Sequence, residues 1–176
     1  MTCVVGLEHH GRVFMGGDRC SSNDVTKTKT AKPKIFKKGP FLIGFSGSFR
    51  YADIIQYNVE FPKKSKKMSE EEYLFTVIVE QIRETLSDKG MNLDEDKFTD
   101  NALIAYKGKL YELQCDLSLV RNVHGFNAIG NGKEVALGSF YSTIHLPPEE
   151  RVEMALRAAA EFSQGVSEPF DILVSK

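Results

Sequence analysis

Thr2 follows the initiator Met1 directly. A small second residue permits removal of the initiator methionine, which leaves a threonine bearing a free α-amine. A threonine hydroxyl is a weak nucleophile and needs a base beside it. A free α-amine titrates near about 7.7–8.0, so a useful fraction is neutral at physiological pH. One residue then supplies both the attacking oxygen and the proton acceptor, and the chemistry within its reach is acyl transfer from an amide. Ordinary proteins also begin Met-Thr, so the pairing acquires meaning only from what surrounds it.

The other chemistry-bearing residues read as structural. His9 and His10 fall on a predicted surface turn, His124 and His145 are isolated, and the four show no metal-ligand spacing. Cys3, Cys20 and Cys115 are an odd, sparse set that makes a poor disulfide framework and fits a reducing compartment. Cys3 adjoins Thr2 but points to the opposite face of a strand, where a buried small side chain is the expected role. Gly130-Asn131-Gly132 is too short to read as a phosphate loop. The basic run KKSKK (63–67) reads as a solvated linker rather than a nucleic-acid patch.

The elements that must position Thr2 follow from patterning. Residues 2–8 and 12–18 read as strands joined by His9-His10-Gly11, a hairpin link. Val4 on one side and Cys3, Val5 and Leu7 on the other make the first strand apolar on both faces, so both faces should be covered. Residues 19–32 are polar and read as a loop or irregular strand. KIFK (34–37), a turn at Lys38-Gly39-Pro40 and FLIGFS (41–46) form a second hairpin. A helix from near Ser48 carries Tyr51, Ile54, Ile55 and Val59 and ends at Phe61-Pro62. Ser46 and Ser48 are expected as helix-cap residues. Ser69 with Glu72 has capping-box spacing, Leu74, Ile78, Ile82 and Leu86 share one helical face, and Gly90 terminates that helix.

Two further strands, 102–106 and 109–115, flank Lys107-Gly108, another hairpin signal. HGFNAIG (124–130) continues in extended form, and a Gly-rich turn feeds a helix over 130–143. Pro147-Pro148 opens a helix with Val152, Ala155, Leu156 and Ala159 on one face, and residues 170–175 close the chain as a strand. Grouped strands and grouped helices argue for an α+β architecture with antiparallel sheets, two double-faced sheets with a helical layer on each side. The 176 residues suit one domain, 1–176. With 41% hydrophobic and 27% charged residues and a net charge of −1, nothing in composition calls for nucleic acid or membrane. No apolar run is long enough to span a bilayer, and no signal peptide is evident, so a cytoplasmic location is expected, with the chain starting directly in its fold.

TCVVGLEHHGRVFMGGDR followed by KPKIFKKGPFLIGFSGS resembles the opening of the proteasome β/HslV family of N-terminal-nucleophile (Ntn) hydrolases. The matching elements are Thr2, Gly17-Asp18, Lys34 and Gly47. FNAIGNGKEVAL resembles the family's Ile-Gly-Ser-Gly turn and helix, and ERVEMALRAAAEF ending in Ser163-Gln164-Gly165 resembles its penultimate element. The resemblance covers essentially the whole chain and implies a four-layer α-β-β-α sandwich. It implies a threonine-type endopeptidase in which Thr2 Oγ attacks the scissile carbonyl, its own amine takes the proton, and Lys34 supplies a positive charge held by Asp18. Gly47 would offer a backbone N–H to the oxyanion. Asn131 stands where the family has Ser, so the tuning of the amine departs from the pattern. Glu161, Ser163 and Ser167 map loosely onto the acidic and hydroxyl partners near the last helix, and Ser21, Lys32 and Phe36 onto the primary pocket.

As to cofactors and partners, the resemblance implies that none is required for peptide hydrolysis, with room for a structural monovalent or divalent cation whose ligands are not assigned. It implies stacked homo-oligomeric rings of six or seven subunits, an ATP-dependent unfoldase partner, and protein or peptide substrates, with no nucleic acid and no membrane. Two other readings share the fold: a catalytically inactive ring or scaffold subunit, and a small-molecule Ntn amidase. The amidases usually begin with Cys or Ser, which this chain does not.

Overall fold

The first two strands, β1 (Cys3–His9) and β2 (Arg12–Asp18), form the expected hairpin. Its turn places His10 and Gly11 at φ 46° and 73°, the left-handed pair that matches the strands' own twist. The coordinates are a computed structural model, which describes residues 2–23, 25–91 and 101–176. The polar stretch that follows is more regular than its composition suggests. It folds back on itself as β3 (Cys20–Ser22) and β4 (Lys27–Lys29), a small ladder of its own.

A second hairpin pairs β5 (Ile35–Lys38) with β6 (Phe41–Ser46), and β7 (Asn101–Tyr106) with β8 (Lys109–Leu113) makes a third. A short β9 (Leu119–Val120) precedes β10 (Phe126–Gly130), and β11 (Phe170–Val174) ends the chain. Two main sheets result, in the orders β10-β1-β2-β11 and β5-β6-β7-β8-β9, with every neighbouring pair antiparallel. β1 is thus an interior strand, as its two apolar faces require. Val4 enters the core between the sheets with Met15, Ile35, Leu42, Leu103 and Ile129. Cys3, Val5 and Leu7 enter the core shared with α4 (Lys133–Ser142) and α5 (Pro148–Phe162).

The opposite helical layer covers the five-stranded sheet. It consists of α1 (Phe49–Tyr57), α2 (Glu70–Tyr73), a π-helical stretch (Leu74–Val79) and α3 (Glu80–Asp88). The expected stripe of Leu74, Ile78, Ile82 and Leu86 is fully buried there. Each such side chain contributes about 1.5–3 kcal/mol by leaving water. The capping box at Ser69 and Glu72 is formed on both sides. Two details differ from expectation. The π turn lets Val79 join Ile78 in the core, a phase shift that a 3.6-residue period does not anticipate. And α1 stops at Tyr57, before Phe61-Pro62, because Asn58 and Val59 both donate to the Ile54 carbonyl and turn Val59 into the core.

The architecture is therefore the α+β, four-layer α-β-β-α sandwich expected from the grouped elements. No helix among the described residues is long and apolar enough to cross a membrane.

Candidate functional site

Antiparallel pairing places the start of β1 beside the end of β2, with Val4 opposite Gly17. Thr2 and Asp18 are therefore brought to one end of the sandwich by a local hairpin. Asp18 is wholly buried, and its carboxylate is fully used. Oδ1 accepts from the Cys3 N–H at 2.8 Å and from Lys34 Nζ at 2.9 Å. Oδ2 accepts from the Cys20 N–H at 2.7 Å and from Lys34 Nζ at 3.1 Å. Lys34 Nζ also donates to the Cys20 carbonyl at 2.5 Å. Only 1% of Lys34 is exposed. Taking both charges out of water costs several kcal/mol per ion, and only such dense hydrogen bonding offsets it.

Lys34 reaches this position because glycine lets the two sheets close in at this end. A Cβ on Gly44 of β6 would lie 2.5 Å from Val4 Cγ1, and one on Gly17 would lie 3.2 Å from Ile35 Cγ2. Lys34 directly precedes β5, and its carbonyl accepts from Phe45 N–H at 3.1 Å, which pins it alongside the end of β6.

The third wall is the turn between β10 and α4. Cys3 pairs with Gly130, so Asn131 and Gly132 continue past Thr2. The Gly132 N–H donates to the Thr2 carbonyl at 3.3 Å. Gly130 has φ 89°, and a Cβ there would fall 2.3 Å from the Thr2 carbonyl oxygen and 3.0 Å from Ser46 Oγ. No other residue type could take this place. Ser46 ends β6, and Gly47 follows at φ 106°. Ser48 caps α1 by accepting from Arg50 N–H at 3.1 Å. The helix-cap expectation thus holds for Ser48 only, because Ser46 is a strand residue paired with Asn101.

Of the sequence-predicted residues, Thr2, Asp18, Lys34, Gly47 and Asn131 all lie on segments that meet at this end of the sandwich. Glu161 is exposed near the end of α5. Ser163 and Ser167 lie on the connection into β11, whose first residue Phe170 pairs with Asp18. Ser167 Oγ is buried with no hydrogen-bond partner among the described residues. Lys32 forms an ion pair with Asp53 and sits 6.0 Å from the Phe49 ring. Phe36 is buried in the core beneath α1. The residue sequence reasoning passed over is Cys20, whose backbone N–H and carbonyl bracket the ion pair. Its signal was a small apolar residue at the start of a polar run, directly after Asp18-Arg19.

Burial, then the nearby Asp18 charge, pushes the Cys3 thiol up to about 12, against a smaller opposing pull from Lys34. The thiol beside Thr2 therefore stays protonated at neutral pH and is a packing group. Among the described residues no group of three or more His, Cys, Asp or Glu could hold a metal ion.

The fold is similar to that of solved proteasome-like proteins. The chain superimposes on BPH of Thiobacillus denitrificans with a TM-score of 0.83 at 20% identity, covering 99% of this chain and 98% of that one. The eukaryotic HslV of Trypanosoma brucei matches with a TM-score of 0.72 at 17% identity over 98% of each chain. Anbu, an ancestral β-subunit, from Yersinia bercovieri matches at 0.72 and 12% identity over 99% of this chain and 81% of that one. No protein-family model matches the chain.

Proposed function

We propose that the protein is a threonine-type endopeptidase, with Thr2 as nucleophile once Met1 is removed. The observation that carries this reading is the buried Asp18–Lys34 pair, which lies one hydrogen bond from the peptide joining Thr2 to Cys3. A buried ion pair is a poor source of stability, so its presence beside a potential nucleophile favours a chemical role.

In this mechanism the Thr2 α-amine accepts the Oγ proton as Oγ bonds to the scissile carbonyl carbon. A cation beside that amine favours its neutral form, and Lys34 fills this role. The developing oxyanion is met by the Gly47 backbone N–H. The C–N bond breaks as the leaving amine takes the proton back, leaving an ester on Thr2. Water then attacks the ester, its proton passing to the same α-amine, and the acid product departs. Asn131, in the turn against Thr2, is suited to hydrogen-bond the amine from the side. These steps use side chains and backbone alone, so the proposal needs no cofactor.

The working particle in this proposal is a cytoplasmic, stacked homo-oligomeric ring of six or seven subunits that admits polypeptides handed over by an ATP-dependent unfoldase. The fold shared with HslV and the Anbu β-subunit supports that reading.

The test is covalent labelling. Epoxomicin is the first electrophile to try, because the Thiobacillus denitrificans BPH was solved in complex with it. Intact mass should show loss of Met1, and peptide mapping should place the adduct on Thr2, with Thr2→Ala unlabelled. Retention of Met1 in the assembled protein would defeat the proposal, since an amide nitrogen at Thr2 is no base.

A further inference from the structure

A second buried carboxylate lies at the same end of the sandwich, outside the constellation just described. Glu112 of β8 is 5% exposed and bridges the two sheets. Its Oε2 accepts from Asn127 Nδ2 of β10 at 2.8 Å. Its Oε1 accepts from Lys133 Nζ, at the start of α4, at 3.3 Å, and from Asn101 Nδ2 of β7 at 3.4 Å. The partners fall at telling positions. Asn101 pairs with Ser46, the residue before Gly47. Asn127 and Lys133 stand on either side of the Gly130-Asn131-Gly132 turn that holds the Thr2 carbonyl.

One carboxylate therefore ties together the two segments that flank Thr2. A buried carboxylate is costly unless its lone pairs are met, and here, among the described residues, they are met by Asn127 and Lys133 around the turn and by Asn101, the β7 neighbour of Ser46. Any drift of the turn relative to the end of β6 would strip Glu112 of a partner. The penalty for a buried unmatched charge makes the spacing stiff in a way that apolar packing does not.

We infer that Glu112 is a positioning residue that, with Lys133, fixes the distance between the Thr2-holding turn and the Ser46–Gly47 segment. This rests on the threonine-peptidase reading above for its catalytic consequence. Near-attack geometry is sensitive to displacements of about 1 Å, which can cost about a hundredfold in rate.

The test uses the full, processed protein carrying Glu112→Gln or Lys133→Met. Control is Glu8→Gln, a carboxylate that also bridges the sheets, to Leu110 N–H and Arg121, but at the far end of β1. Rates on a fluorogenic peptide amide are divided by active sites titrated with the Thr2 electrophile, so loss of folded protein does not count as loss of turnover. Glu112→Gln should lower kcat per titrated site about tenfold or more with KM within about threefold, and Lys133→Met should do so to a smaller extent. Amide hydrogen exchange over 128–132 and 45–48 should quicken in both variants and not in Glu8→Gln.

Unchanged kcat per site together with unchanged exchange at those amides, in either variant that folds, would overturn the inference. Lys133 has a partly exposed head group, so its variant retains the test if Glu112→Gln does not fold. If the wild-type protein neither labels at Thr2 nor cleaves peptides, the peptidase reading fails, and the exchange measurement alone still decides whether Glu112 sets the spacing.

Discussion

Two buried cations in this protein are accommodated in opposite ways. Lys34 meets a carboxylate through both oxygens and a backbone carbonyl besides. Arg151, on α5, is 8% exposed and pairs with no carboxylate among the described residues. Its Nη2 donates to the Phe140 carbonyl at 2.8 Å, its guanidinium lies 5.8 Å from the Phe126 and Phe140 ring centres, and its Nε meets no hydrogen-bond partner among the described residues. Arg151 is a packing residue whose flat, weakly hydrated head suits aromatic faces. Lys34 is a compact, strongly hydrated point charge that the fold has desolvated at considerable cost. The difference teaches where to look for chemistry: burial with dense compensation beside a nucleophile, rather than burial alone.

The contrast is most sharply tested by removing each cation. Lys34→Met leaves Asp18 buried without its counter-charge, so unfolding free energy should drop by about 3–5 kcal/mol and peptide hydrolysis should vanish. Chemical denaturation and a fluorogenic assay measure the two losses. Adding Asp18→Asn to that variant should recover part of the stability and none of the activity, since the stranded charge is gone but the cation is still missing. Recovery of hydrolysis in the double variant would mean that the pair has no role in catalysis. Arg151→Met should cost no more than about 1 kcal/mol and leave kcat alone, because neutral packing can replace an unpaired cation.

The smallest expected effect concerns Cys3. The fold favours its neutral thiol, so this contribution to stability is complete below pH 9 and is lost as pH climbs toward 12. Iodoacetamide at pH 8 should tag exposed Cys115 and spare Cys3 and Cys20 until the protein unfolds.

Much of the site was legible because its parts are local. Thr2 and Asp18 are joined by a hairpin whose turn chemistry is plain at His10-Gly11, and Lys34 directly precedes the apolar strand β5. The stripe from Leu74 to Leu86 and the capping box were legible for the same reason. Glu112 was not legible, since Asn101, Asn127 and Lys133 reach it from three separate elements and no spacing in the chain announces that meeting. The end of α1 was misjudged because Phe61-Pro62 is the stronger written signal, whereas burial of Val59 decides the matter. The β3–β4 ladder was hidden by its polar composition, as it carries almost no core of its own.

The interior position of β1 has a consequence for how the protein is made. Cys3 pairs with Gly130, and Asp18 with Phe170, so residues that leave the ribosome first find their partners only when synthesis is nearly over. Such distant pairings close late in folding. A nascent chain carries the threonine from the outset yet lacks the Asn131 turn that meets it, so the cutting centre proposed here stays latent until the whole polypeptide is free of the translation machinery.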